Sequence, residues 1–245
     1  GAGCGKTSVV RAIVRLFQRA GLAIRLTAPT GRASQRLSEV CDLKASTIHR
    51  LLKYDPSTKG FVHDQHDPLP CDVVIIDESS MMDVQLACSL FQAIPVGARI
   101  IVVGDADQHP SGGPGLVLAD LLALDSVPRV RLSQLFRRDE ESSINAIAHQ
   151  INEGIIPEIP MPDGKTKSDA YFLPVLDAAA GAELIERLVS DQIPKRFGFK
   201  ANEITVLTPM NQGELGVISL NRRLQSALVP VMPGFPKVNV GDLEF

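Results

Sequence analysis

Val73-Val74-Ile75-Ile76-Asp77-Glu78 decides how this chain is read. Four apolar residues in a row, two of them valine and two isoleucine, describe a strand covered on both faces. Two acids then stand at its carboxyl end, which is where open α/β sheets bind ligands. A strand that ends in a solvated acidic turn would look the same, so the pair alone is weak. It becomes specific beside Gly1-Ala2-Gly3-Cys4-Gly5-Lys6-Thr7-Ser8 upstream, whose Gly5, Lys6 and Thr7 complete the end of a GxxxxGK[ST] phosphate loop.

Each residue type suits that chemistry. Glycines let the backbone wrap closely, so its N–H groups face phosphate oxygens. The following helix adds the positive end of its dipole. Lys6 reaches β- and γ-phosphates, and Thr7 offers Mg²⁺ a hydroxyl. Asp77 can hold Mg²⁺ through water, and Glu78 can polarise the attacking water. Gly1, Gly3, Cys4, Gly5, Lys6, Thr7 and Ser8 are therefore the expected ATP-binding residues, with Thr7 and Asp77 as the expected metal ligands. Cys4 fills a place where any small residue serves. The first glycine of the pattern would precede Gly1, and so would the strand feeding the loop. The sequence thus reads as part of a longer protein.

Downstream, Ile101-Val102-Val103-Gly104-Asp105-Ala106-Asp107-Gln108 repeats the arrangement of a buried strand ending in polar residues. Gln108 can sense the γ-phosphate. Asp105 and Asp107 are alternatively plain turn formers, the better reading for Asp107. His109 reads as a loop residue. Leu135-Phe136-Arg137-Arg138 offers an arginine able to stabilise charge on a transferring phosphoryl group.

The rest of the chain alternates strands and helices, which implies parallel sheets flanked by helices. Helices are predicted over 8–20, 31–40, 82–94, 142–153, 178–193 and 217–228. Strands are predicted over 22–28, 73–76, 99–103, 130–132 and 203–207. Polar, turn-rich 53–70 reads as a hairpin insertion. Residues 1–127 and 128–245 are expected to form two domains.

With 245 residues, 44% hydrophobic and 22% charged, the composition is that of a globular protein. Net charge is 25 − 28 = −3, so nucleic-acid binding needs a local groove. The four cysteines form no CxxC pair, which argues against zinc and a disulfide framework and suits a reducing cytoplasm. No apolar run approaches the ~18 residues of a membrane span.

These pieces, in this order, resemble a superfamily 1 helicase. Thr27-Ala28-Pro29-Thr30-Gly31-Arg32-Ala33 and Ser46-Thr47-Ile48-His49-Arg50-Leu51-Leu52 look like motifs Ia and Ic of the RecD-like helicases of superfamily 1B. Asp77 to Asp83 is similar to their motif II, and Gly104 to Gly115 to their motif III. Leu135 to Arg138, with Ile144 and Asn152-Glu153-Gly154, resembles motif IV. Leu207 to Gly213, with Gly216, Leu220-Asn221 and Leu224-Gln225, resembles part of a second motor domain. The type is that of the exodeoxyribonuclease V alpha subunit.

The resemblance implies two RecA-like motor domains of P-loop NTPase type, the second incomplete, with ATP between them. It implies a helicase of DNA recombination and repair, moving 5′ to 3′ on single-stranded DNA, acting at duplex ends, and joined to other subunits of a helicase–nuclease complex. Lys6, Asp77, Glu78, Gln108 and Arg137 would be catalytic, with Arg137 as arginine finger. Thr30, Arg32, Thr47 and His49 would face DNA. The 53–70 insertion would be the pin that splits duplex. Alternatively Thr30 simply caps a helix, and His49 is a hydrogen-bonded core histidine. Arg11, Arg15 and Arg19 read as a solvated helix face. The sequence departs from the family at His109, Gly112 and Arg138, where Leu, Val and Gln are usual. Nothing in it resembles motifs V and VI. Two rival readings stand: a P-loop NTPase with another cargo, and a module that binds without turnover.

Overall fold

The computed structural model describes residues 5–132, 142–228, 239–240 and 243–244. The chain divides into two compact units. The first holds residues 1–159 and 167–170; the second holds 160–166 and 171–245. Residues 128–159, read above as the start of a second domain, therefore group with the first unit.

The first unit is built on a four-stranded parallel sheet ordered β2-β1-β5-β6. These strands are β1 (Ile24–Ala28), β2 (Ala45–Thr47), β5 (Val73–Ile76) and β6 (Arg99–Val102). The helices are α1 (Lys6–Arg19), α2 (Gly31–Cys41), the single turn α3 (Ile48–Leu51), α4 (Val84–Ala93), α5 (Val117–Ala123) and α6 (Ser143–Asn152). β3 (Tyr54–Asp55) and β4 (Gly60–Phe61) pair as an antiparallel hairpin inside the predicted insertion.

Side-chain alternation along β5 divides the core between the two faces. Val73 and Ile75 join Val10 and Val14 of α1 and Leu37 and Cys41 of α2 on one side. Val74 and Ile76 join Ile48, Met82, Leu90 and Val117 on the other. All four β5 residues are fully buried, as the unbroken apolar run requires. The α/β fold with flanking helices is thus what the alternation of elements implied.

The second unit contains α7 (Ala178–Arg187), a π-helical turn over Leu188–Gln192, α8 (Ile193–Phe197), α9 (Val217–Leu228), and the short strands β7 (Asn239–Val240) and β8 (Leu243–Glu244). Asp177 Oδ1 accepts the Ala180 N–H at 2.8 Å and caps α7. Arg223 and Glu186 link α9 to α7 at 3.4 Å.

Three expectations are corrected. The helix read over 178–193 is broken by the π turn, which shifts the hydrogen-bond register before Pro194 enters the first turn of α8. Neither 130–132 nor 203–207 is a strand. Val130 and Leu207 are each 89% exposed, and among the described residues no strand pairs with either segment. Among the described residues, the second unit therefore carries no parallel sheet. No described helix is long and apolar enough to cross a membrane.

Candidate active site

A parallel sheet brings the carboxyl ends of all its strands to one side. Here that side carries Pro29-Thr30 after β1, Thr47 ending β2, Asp77-Glu78 after β5 and Gly104-Asp105 after β6. The amino end of α1 meets them there. Gly5 adopts the left-handed conformation, φ 77°, immediately before Lys6, which begins α1. Gly1, Gly3 and Cys4 lie outside the described residues. Thr7 and Ser8 occupy the first turn.

Lys6 is the hub. Its Nζ lies 2.8 Å from Asp105 Oδ2. Gln108 Nε2 donates to the same oxygen at 3.1 Å. Asp105 is 6% exposed, so it is no solvated turn residue. Burial raises its pKa, but the Lys6 hydrogen bond and charge outweigh that and hold the carboxyl below its ordinary value.

Asp77 is fixed by its own backbone. Its N–H donates to Thr27 O at 2.9 Å, continuing the β1–β5 ladder one step. Its Oδ1 accepts the Glu78 N–H at 2.9 Å. Burial pushes the Asp77 carboxyl up, against the Glu78 N–H and the charges of Lys6 and Arg36. Glu78 has φ 51°, a left-handed conformation that costs a non-glycine residue energy. It ends the extended path and starts a tight turn over Ser79–Met81. Strain of this kind collects where a functional group must be held off the regular path.

Two residues with no assigned role hold this turn against β6. Ser79 is buried, and its N–H and Oγ–H both donate to Val103 O, at 3.0 and 2.9 Å. Gly104 passes so close that a Cβ there would lie 2.5 Å from Ser79 Oγ and 2.7 Å from Leu118 Cδ2. The same interlock continues outward. A Cβ on Gly113 would meet Asp83 Oδ2 at 2.3 Å, and Val84 N–H donates to Pro114 O at 3.0 Å. The stretches 77–84 and 104–115 thus form one packed body. The glycines and a DESS turn were visible in the sequence, but only the contacts say which need to be small.

The residues expected to face DNA separate into caps and rings. Thr30 Oγ1 accepts the Ala33 N–H at 3.3 Å and caps α2. Thr47 Oγ1 accepts the Arg50 N–H at 3.3 Å and caps α3. Each hydroxyl keeps a proton to donate, so capping and phosphate contact are compatible. Thr47 and Arg50 also line a groove of about 530 Å³ between α2 and β2. Arg32 is exposed. His49 is exposed rather than buried in the core. Its ring lies 5.8 Å from that of Tyr54 and 5.7 Å from that of Phe61, while Tyr54 and Phe61 are 5.4 Å apart. It packs on the hairpin. Arg137, the expected arginine finger, lies outside the described residues.

The donor set suits a magnesium nucleotide. A hydroxyl at Thr7, carboxylates at Asp77 and Glu78, an ammonium at Lys6 and a helix amino end converge on one edge of the sheet.

The AAA domain family matches residues 1–114. The ATP-dependent RecD2 DNA helicase of Deinococcus radiodurans is 37% identical over 230 residues, covering 94% of this chain and 30% of that protein. The RecBCD enzyme subunit RecD of Mycobacterium tuberculosis is 40% identical over 145 residues, covering 50% of this chain and 25% of that protein. A solved structure of Bacteroides Pif1 bound to single-stranded DNA superposes with a TM-score of 0.43 at 19% identity, covering 76% of this chain and 50% of that one. The chain spans less than a third of the length of either curated relative. With identity sustained over nearly all its residues, this chain is similar to the RecD-type DNA helicases.

Proposed function

We propose that the chain supplies the ATP-hydrolysing site of a DNA helicase that translocates 5′ to 3′ on single-stranded DNA. The observation that carries this reading is the Lys6 ammonium, paired with Asp105 at 2.8 Å beside the charge of Asp77 on the ligand-binding edge of the sheet. The phosphate-loop backbone, with Gly5, Lys6, Thr7 and Ser8, holds the triphosphate. Thr7 and Asp77 hold Mg²⁺, which neutralises charge on the phosphates when bound. Glu78 accepts a proton from the attacking water. Gln108 faces the γ-phosphate, and Arg137 is the arginine finger.

DNA runs over the ends of β1 and β2. Thr30 and Thr47 donate their hydroxyl protons to phosphates, and Arg32 and Arg50 supply charge. The local groove answers the chain's net charge of −3. The hairpin beside it acts at the duplex junction. The parent protein works in recombination and repair, with partner subunits of a helicase–nuclease assembly.

ATP hydrolysis by the chain with and without single-stranded DNA, beside a Lys6→Ala control, tests this. DNA-stimulated turnover that the control loses is expected. Turnover indifferent to DNA means a different P-loop NTPase. Nucleotide binding without turnover means a non-catalytic module.

A further inference from the structure

Asp105 has no assigned role, yet it connects two groups that do. Lys6 and Gln108 both donate to one oxygen, Asp105 Oδ2, at 2.8 and 3.1 Å. The Gln108 N–H also donates to Asp105 O at 3.1 Å, so the two residues are joined through backbone and side chain. The Asp105 side chain is 5% exposed and that of Lys6 is 21% exposed. The attraction across a contact this sheltered is screened less than that of a surface ion pair. Its position is set from behind. Gly104 packs against Ser79 and Leu118 without room for a Cβ, so the chain emerges from β6 on one fixed line.

A phosphate-loop lysine reaches the β- and γ-phosphates, and in the reading above Gln108 faces the γ-phosphate. Asp105 and the nucleotide therefore offer negative oxygens to the same two donors. A buried carboxylate beside a triphosphate also repels it. We propose that Asp105 is a positioning residue that competes with nucleotide phosphate for Lys6 and Gln108. It weakens nucleotide binding and speeds release, by taking back both donors together as the phosphate leaves. This rests on the nucleotide-site reading above and assigns that site its release device.

Two measurements on Asp105→Asn test it. The substitution keeps shape and an acceptor oxygen but removes the charge. The first is the affinity and dissociation rate of a fluorescent, slowly hydrolysed ATP analogue. Binding is expected to tighten about tenfold, chiefly through slower dissociation, the scale of one charge-assisted hydrogen bond. The second is the acylation rate of Lys6 without nucleotide, read by peptide mass spectrometry. Labelling is expected to accelerate, because the ammonium loses the charge of this carboxylate.

Unchanged or weaker nucleotide binding in Asp105→Asn overturns the proposal. Tighter binding with unchanged Lys6 labelling also overturns it, since simple repulsion would then suffice. If the unaltered chain binds no nucleotide, the proposed function itself fails and the inference with it. Binding by the unaltered chain that the substitution leaves alone sinks this inference only. If Asp105→Asn loses its far-ultraviolet dichroism, Asp105→Ser removes the same charge within a smaller volume and must give the same two results.

Discussion

Gly104 shows what separates a residue's chemistry from its place. A glycine before an acid is common in turns, and its sequence context says nothing about contact. In the fold it is the point where the chain running from β6 to Asp105 packs against the turn that Glu78 begins. An alanine there would press its Cβ against Ser79 Oγ at 2.5 Å, Leu118 Cδ2 at 2.7 Å and Ser79 N at 3.2 Å. The last is backbone and cannot swing aside. Gly112, eight residues on, has nothing within 4 Å of a built Cβ. Gly104→Ala is therefore expected to cost about 2 kcal/mol, the usual scale of overpacking, and Gly112→Ala less than about 0.5 kcal/mol. Urea unfolding monitored by far-ultraviolet dichroism measures both. Equal costs would mean that the Ser79–Gly104 crossing does not hold the two loops together. Lys6, Asp77 and Gln108 were legible from spacing, because their motifs are local. Asp105 was half legible as a turn former. Its defining contact, to Lys6, spans 99 positions of chain and exists only after folding.

At the scale of elements, β5 was readable to the residue because four apolar side chains in a row have one structural use. The segments 130–132 and 203–207 were misread for a matching reason. Alternation suits a strand, but a strand exists only with a neighbour to pair with, and neither has one among the described residues. β2 went unseen because Ala45–Thr47 is too short and polar to declare itself; its ladder to β1 makes it a strand. The hairpin was placed correctly by its turn residues, but its anchor was not. His49 comes from α3, and its ring packs against Tyr54 and Phe61 of β3 and β4. The chain leading out of the hairpin is also tied down, since the N–H groups of Val62 and His63 both donate to Leu52 O at 3.1 Å. The rings and the Leu52 carbonyl thus both brace the base of the hairpin, where Tyr54 pairs with Phe61. His49→Ala is expected to raise amide exchange over 54–61 by about tenfold, since ring pairs contribute roughly 1 kcal/mol each. His49→Phe restores protection, because an aromatic ring rather than a proton donor does the bracing. Loss of protection in both variants would show instead that His49 acts through its nitrogens.

Over the whole molecule, burial is distributed unevenly. The two large buried clusters lie on opposite faces of one sheet, and every residue of both belongs to the first unit. In the second unit the buried hydrophobic residues among those described are Ala182, Val189 and Leu220. Phe172, Leu176, Phe197 and Phe199 there are more than half exposed. Helices of 10 to 12 residues, such as α7 and α9, are marginal alone and survive by burying a face. The ion pairs of Arg223 with Glu186 and Glu214 are partly exposed and contribute little. The first unit should therefore open only by global unfolding, whereas the helices of the second open locally. Hydrogen exchange read by mass spectrometry should find β1 and β5 the slowest segments of the chain. α7 and α9 should exchange at least about 100-fold faster, a gap of roughly 3 kcal/mol in opening free energy. Nucleotide binding at Lys6 should slow exchange in 5–10, 77–82 and 104–108 and leave α7 unchanged. If α7 exchanged as slowly as β5, the two units would share one cooperative transition, and the uneven burial would not be what governs their stability.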